Sequence, residues 1–299
     1  MNTVVGPESR QPERVCAIVV TRDRRDMLSR CLSALREERR APDAVLVVDN
    51  ASSDGTAEMV QDEFPEAEML RLTTNVGGAG GFSRGMKRAH AEGYDWLWLM
   101  DDDTIASGNT LGPLLAGAAR APHGRPLLVC SQVRWKDERL HPMNIPVPHW
   151  RWRSELAEGV ADGLLLLRYT TFVSVAIHRQ AIDRFGLPLE RYFIWGDDVE
   201  FTARVLRDDV GYLVADSVAY HWTPSPHPPA TPTSDRFYYH ARNSLWLLRG
   251  SSLTGRERFS YARYYLRTLA EFLRVNRRKP RRWALLARAL RDGLQGETR

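Results

Sequence analysis

Three aspartates in a row, Asp101, Asp102 and Asp103, follow directly on the apolar run WLWLM at residues 96–100. In extended chain, side chains at i and i+2 project to the same side. Asp101 and Asp103 can therefore face one ion while Asp102 turns the other way. Two hard carboxylate oxygens suit Mg2+ or Mn2+, and a diphosphate can supply further ligands to either cation. A solvated acidic turn would read the same in isolation; the position at the end of a buried strand favours the metal.

Other polar residues fall at equivalent places. Thr21 and Arg22 follow the run VCAIVV at 15–20, and Asp49 and Asn50 follow AVLVV at 44–48. An aspartate at a strand end can accept from a base N–H or a ribose hydroxyl, so convergence of these ends is what a nucleotide needs. The segment NVGGAGG at 75–81 precedes a helix, and such a turn lets backbone N–H groups, here around Asn75, Gly77 and Gly78, approach a phosphate. Close packing would use glycines equally well. Arg84, further along that helix, is within reach of a diphosphate on this reading. A second acidic cluster, IWGDDVE at 194–200, places Asp197 and Asp198 at the head of another helix, where capping explains one aspartate more easily than two. Trp195 stands beside that pair and offers an indole face to the C–H face of a sugar, whereas Trp135, Trp150 and Trp152 read as packing residues. His221, in AYHW after a strand, would by itself be a packed or surface group, and His141, His149, His178, His227 and His240 have no functional context.

The elements that must position these residues follow from the apolar pattern. Runs at 15–20, 44–48, 69–72 and 96–100 alternate with helical stretches such as 26–38, where Met27, Leu28, Cys31, Leu32 and Leu35 share one face. Strands alternating with helices imply parallel pairing and right-handed crossovers, hence an α/β fold with a doubly wound, mostly parallel sheet. Ligands of such sheets bind beyond the C-terminal strand ends. Further strands are expected at 127–133, 170–177 and 211–215, and helices at 178–185 and 197–207. The proline-rich stretch 223–234 must be a loop, and helices at 235–250, 256–276 and 283–294, interrupted at Pro280, close the chain. The expected organisation is a catalytic domain at 15–222, divided into a nucleotide-sugar half (15–105) and an acceptor half (106–222), followed by the loop and a basic helical region at 235–299.

Taken together, AIVVT at 17–21, VVDNASSDGT at 47–56, NVGGAGG at 75–81 and the aspartate triplet resemble the family-2 glycosyltransferases of GT-A fold. The last two, joined to WLWLM, look especially like the actinobacterial galactofuranosyltransferases that build cell-wall galactan. The resemblance spans roughly residues 15–250. It implies an inverting transferase, with Asp49 on the nucleobase and Asp101, Asp102 and Asp103 on the metal and diphosphate. It also implies Asp198 as catalytic base, Asp197 orienting the acceptor, and His221 as a metal ligand. Inversion by direct displacement needs one carboxylate to take the acceptor proton. The leaving diphosphate needs no general acid if a metal stabilises its charge. A helix N-terminus would help to keep that base ionised. The implied donor is a UDP-sugar, UDP-galactofuranose first, and the implied acceptor a glycan or polyprenyl-linked glycan. Gly196 between Trp195 and the acidic pair departs from the pattern of the polymerising galactofuranosyltransferases. The large extra domains of those enzymes are also missing, which favours addition of one or a few sugars. A rhamnosyltransferase using dTDP-rhamnose would keep every motif. An inactive nucleotide-sugar or lipid-binding module would have lost the base or the metal ligands. A dinucleotide-dependent oxidoreductase fits poorly, because GGAGG follows the third strand and does not match G-x-G-x-x-G.

Composition sets the remaining bounds. With 43% hydrophobic residues in 299, a sizeable core can be buried. Three scattered cysteines, Cys16, Cys31 and Cys130, form neither a disulfide framework nor a zinc site and fit a reducing cytoplasm. No signal peptide or membrane-spanning run is expected. The net charge of +5 is uneven: from Ser251 onward 13 Lys or Arg face 4 Asp or Glu, a balance of +9. A basic tail on a slightly acidic body suggests an anionic partner. The expectation is the inner face of the plasma membrane, contacted peripherally through the C-terminal helices, and not nucleic acid.

Overall fold

A computed structural model describes residues 12–149, 159–226 and 232–296. Its N-terminal half is built from β1 (Val15–Thr21), α1 (Arg25–Arg36), β2 (Ala44–Asp49), α2 (Thr56–Glu63), β3 (Glu68–Arg71), α3 (Gly77–Ala91) and β4 (Trp96–Asp101). The strands pair in parallel in the order β3-β2-β1-β4. Because the sheet is covered on both faces, β1 is buried throughout and apolar up to Val20 instead of alternating. Val15, Ala17 and Val19 pack with Leu28, Cys31 and Leu35 of α1 and Met59 of α2. Cys16, Ile18 and Val20 pack on the other side with Phe82 and Met86 of α3. Gly81 and Gly85 let α3 lie against the sheet: a Cβ on Gly85 would stand 2.6 Å from Ile18 Cγ2.

The second half continues with β5 (Thr104–Ala106), α4 (Leu111–Ala119), β6 (Leu128–Arg134), β7 (Val147–Pro148), β8 (Leu164–Tyr169), β9 (Val175–His178), α5 (Arg179–Phe185), α6 (Asp197–Val205) and β10 (Gly211–His221). The sheet runs on from β4 as β9-β6-β10-β8-β7, with β5 paired to β10. The doubly wound, mostly parallel sheet with C-terminal helices is thus present, with β9, β8, β7 and β5 joining it antiparallel. Three boundaries differ from expectation. Of the strand expected at 170–177 only the end is strand, as β9; β8 precedes the span, and the chain between them turns at Ser174, whose φ is +52°. β10 does not stop at 215 but runs to His221 across a register irregularity between Val214 and Val218. The polar Asp216 and Ser217 hide this continuation. Ser217 is nevertheless buried, donating to the Thr110 carbonyl and sharing a hydroxyl contact with Ser131. β5 is too short to be visible in the sequence.

Three helices close the chain: α7 (Phe237–Arg249), α8 (Gly255–Val275) and α9 (Pro280–Gln295). Thr254 and Glu257 form a capping box at the start of α8. Pro280 opens α9 at a position where its missing N–H costs nothing. Phe237, Ala241, Phe272, Leu286 and Ala289 make a small core among the three helices. The buried Arg168 of β8 fastens this region to the sheet, donating to Glu257 at 2.7 Å. Tyr265, Phe272 and Leu286 are internal, whereas Phe259, Tyr264, Leu266 and Trp283 are exposed. Among the described residues no helix is long and apolar enough to cross a membrane. Trp150, Trp152 and His227 lie outside the described residues.

Candidate active site

The parallel register brings the strand ends together: Thr21 lies opposite Asp49, and Val20 opposite Asp101. Asp49 is fully buried. One of its oxygens accepts from Ser52 N at 2.9 Å, and the other has no hydrogen-bond partner among the described residues. That oxygen is paired by charge with Arg71 Nε at 3.6 Å but accepts no hydrogen bond, so it is suited to an incoming N–H or hydroxyl donor.

The triplet turns the chain from β4 into β5, and β5 pairs with the end of β10 so that Thr104 faces His221. Trp222 N donates to the Asp103 carbonyl at 2.8 Å, closing the junction. One ligand atom from each of Asp101, Asp103 and His221 lies within 4.8 Å of the others. His221 Nε2 is 3.0 Å from Asp103 Oδ1, a buried oxygen without a hydrogen-bond donor. Two carboxylates and an imidazole whose donor atoms converge around an unpartnered oxygen fit a divalent cation such as Mn2+ or Mg2+. Burial, followed by the neighbouring charges of Asp103 and Asp102, pushes the Asp101 carboxyl well above its ordinary range. Burial would also raise Asp103, but His221 and Arg24 outweigh it and hold that carboxyl at about 2.

Asp102 does turn away from this cluster. Its oxygens take the Thr21 hydroxyl at 2.8 Å and Arg24 Nη1 at 3.0 Å, and burial raises its carboxyl to about 7 despite the guanidinium. Thr21 and Asp102, both expected on the nucleotide, are thus engaged with each other and brace β1 against β4. Arg24 also reaches Asp103 at 2.9 Å. Arg84, expected near a diphosphate, lies on the second turn of α3 and is paired with Glu190 at 3.2 Å.

The glycine-rich turn is shaped largely by packing. Gly77 has φ +74°, and a Cβ there would fall 1.9 Å from the Phe193 carbonyl oxygen. Asn75 accepts from Gly77 N, and Asn50 clasps the turn by accepting from Val76 N and donating to the Gly77 carbonyl. Gly78 alone of this group meets nothing within 4 Å of a Cβ position, so open space lies beside it.

The acidic pair is reached through a tight loop. Phe193, Trp195 and Gly196 all have positive φ, at +65°, +66° and +86°. The two non-glycine residues pay a conformational penalty there. Asn243 of α7 offsets it by donating to the Tyr192, Ile194 and Trp195 carbonyls at 2.8–2.9 Å. Arg242 Nη2 donates to the Arg191 and Tyr192 carbonyls. From this loop α6 starts at Asp197. Burial is the largest influence on both acids: it raises Asp197 to about 8, with Asp198 adding to the effect, and Asp198 to about 6 against N–H groups at the helix start. The helix N-terminus therefore favours the ionised form as expected, but burial exceeds it. The charges of Asp197 and Asp198 add to the rise of Asp101, so the two acidic clusters lie within electrostatic reach of each other.

Four residues with no sequence signal belong to this site: Arg24, His141, Asn144 and Asn243. The ring of His141 packs on His221 with centroids 4.8 Å apart, and burial, followed by His221, lowers it to about 4. Trp135 donates to the Thr223 carbonyl, in keeping with a packing role.

Residues 16–185 match the model of glycosyl transferase family 2. The chain is 33% identical over 217 residues to galactofuranosyltransferase GlfT1 of Mycolicibacterium smegmatis, covering 70% of each chain. It is 32% identical over 211 residues to GlfT1 of Mycobacterium tuberculosis, covering 70% of this chain and 69% of the relative. Among solved structures, S. aureus TarS 1–349 in complex with UDP-GlcNAc superposes with a TM-score of 0.62 at 17% identity, covering 94% of this chain and 81% of that one. The mannosyltransferase PcManGT of Pyrobaculum calidifontis, in complex with GDP-Man and Mn2+, gives 0.53 at 16% identity, with 94% and 86% covered. At these identities the structural likeness is one of fold.

Proposed function

The chain belongs to glycosyltransferase family 2 and is a glycosyltransferase, and from that premise we propose that it transfers galactofuranose, with inversion, from UDP-galactofuranose to a polyprenyl-linked glycan at the inner face of the plasma membrane. The convergence of Asp101, Asp103 and His221 beside Asp197 and Asp198 carries this reading. The likeness to GlfT1 supports galactofuranose as the sugar.

In this reading Asp101, Asp103 and His221 hold Mn2+ or Mg2+, which when bound neutralises the diphosphate and stabilises it as a leaving group. Asp49 accepts from the uracil base, and the space beside Gly78 admits the diphosphate. Asp198 takes the acceptor proton as the hydroxyl attacks C1, and Asp197 orients that acceptor. Residues 15–222 form the catalytic domain, with the donor bound by 15–105 and the acceptor by 106–222. Residues 235–299, basic and bearing the exposed Phe259, Leu266 and Trp283, approach the membrane surface.

A donor screen tests the assignment. UDP-galactofuranose, UDP-galactopyranose and dTDP-rhamnose are each supplied with an acceptor glycan and Mn2+ or Mg2+, and nucleotide release is scored with and without excess EDTA. Release from UDP-galactofuranose that ceases on chelation is expected. Release from dTDP-rhamnose alone replaces the sugar assignment, and full turnover in EDTA removes the metal from it.

A further inference from the structure

We infer that Asn144 is a positioning residue for the imidazole of His221, holding the ring so that Nε2 is the nitrogen offered to a cation. The inference rests on the metal reading of Asp101, Asp103 and His221. His221 Nδ1 lies 2.8 Å from Asn144 Oδ1. An amide oxygen can only accept, so Nδ1 carries a proton in this arrangement, and in the neutral ring Nε2 is the nitrogen left for a cation. Nε2 lies 3.0 Å from Asp103 Oδ1, an oxygen with no hydrogen-bond partner among the described residues. In the neutral ring, Nε2 and that carboxylate oxygen are the pair of atoms a divalent cation would share. The Asn144 amide is held in turn: its Nδ2 donates to the Thr171 hydroxyl at 2.9 Å.

The backbone explains why an asparagine so far along the chain arrives here. β6 and β10 run side by side, with Val133 opposite Ala219 and Arg134 opposite Tyr220. The chain leaves β6 and folds back as a 3-10 turn, Pro142–Asn144, whose first residue is preceded by His141. His141 N donates to the Val133 carbonyl at 2.9 Å, pinning the turn beside the end of β10. His141 accepts from Met143 N through Nδ1, which leaves Nε2–H to donate to the Thr223 hydroxyl at 2.9 Å. One face of His221 is thus covered by a ring whose own orientation is fixed at both nitrogens. A ligand histidine whose second nitrogen is anchored loses less freedom when it binds a metal, and loss of such an anchor typically weakens metal affinity about 10–100-fold.

The test is Mn2+ affinity of the full chain in the presence of UDP, read from the electron paramagnetic resonance signal of free Mn2+, with thermal unfolding confirming that each variant is folded. Asn144→Leu and Asn144→Ala both remove the acceptor, and whichever is folded decides. Asn144→Asp keeps an acceptor at the same place. The expected result is a loss of about 10–100-fold without the acceptor and near-native affinity in the aspartate variant. His221→Ala is measured alongside. Weakened binding in His221→Ala with native binding in the acceptor-less variants overturns the role of Asn144 and leaves the metal reading intact. Native binding in His221→Ala overturns the metal reading itself. Equal weakening in the leucine or alanine and aspartate variants assigns Asn144 to packing and overturns the inference.

Discussion

Asp198 stands at the first turn of α6, where N–H groups favour its charge, and also in a half-buried site that opposes it; burial prevails, at about 6. A base with this value is ionised at neutral pH yet still basic enough to accept a hydroxyl proton as the bond forms. The active form is the ionised one, so kcat/KM should be level above about pH 6 and fall below it, by tenfold per unit once protonation is complete. Because Asp197 and Asp198 act on each other, this limb belongs to the pair. A bound cation favours the ionised forms and moves the limb lower. A profile still flat at pH 4 would place the base elsewhere. Asp198→Asn is nearly isosteric and cannot take the proton. It should lose roughly 10²–10⁴ in kcat while retaining UDP affinity, measured by single-turnover assay and by titration. Retention of native kcat would shift suspicion to Asp197.

The loop from Phe193 to Gly196 depends on an element that lies far away in sequence. Its positive φ angles are held by Asn243 and Arg242 of α7, so on the proposed roles of Asp197 and Asp198 the C-terminal helices support the catalytic residues. Asn243→Ala leaves the Ile194 and Trp195 carbonyls without this donor, a change worth about 1–3 kcal/mol. It should lower both the melting temperature and kcat, with UDP affinity unchanged; an unaltered kcat would show that the loop keeps its shape without the clamp. The parallel half of the sheet, β1 to β4, was legible because strands buried on both faces leave unbroken apolar runs. The polar residues at their ends were legible for the same reason. β5 was not, since three residues carry no period, and with it went the means of seeing from spacing why His221 meets Asp103. The β10 continuation was masked by Asp216 and Ser217. Arg24, Asn144 and Asn243 act through hydrogen bonds to residues far away in the chain, and no local pattern records such contacts.

At the scale of the whole molecule, charge is segregated. The balance of +9 from Ser251 onward lies on α8, α9 and the link between them, where Arg277, Arg278, Lys279 and Arg281 are exposed near Trp283. Each basic residue close to an anionic leaflet contributes about 1 kcal/mol, and that contribution is screened by salt. Co-sedimentation with vesicles should therefore require anionic lipid and weaken as salt rises. Changing Arg277, Arg278, Lys279, Arg281 and Arg282 to Gln should abolish most of it. Binding indifferent to lipid charge and salt would defeat the electrostatic account.

The junction between Asp103 and His221 joins strand ends that are more than a hundred residues apart in the chain, one on each side of the sheet's centre. An ion bound there is a staple as well as a reagent: it is held only while both segments are in place, and the unfolded chain offers no equivalent. Saturation must then appear as resistance to heat. At a hundredfold excess over the dissociation constant the gain is about 2.7 kcal/mol. For a chain of this size that is an upward shift in melting temperature on the order of 5 °C. Calorimetry with Mn2+ in place of EDTA reads it directly. His221→Ala, which cuts one leg of the staple, should melt at nearly the same temperature in both buffers.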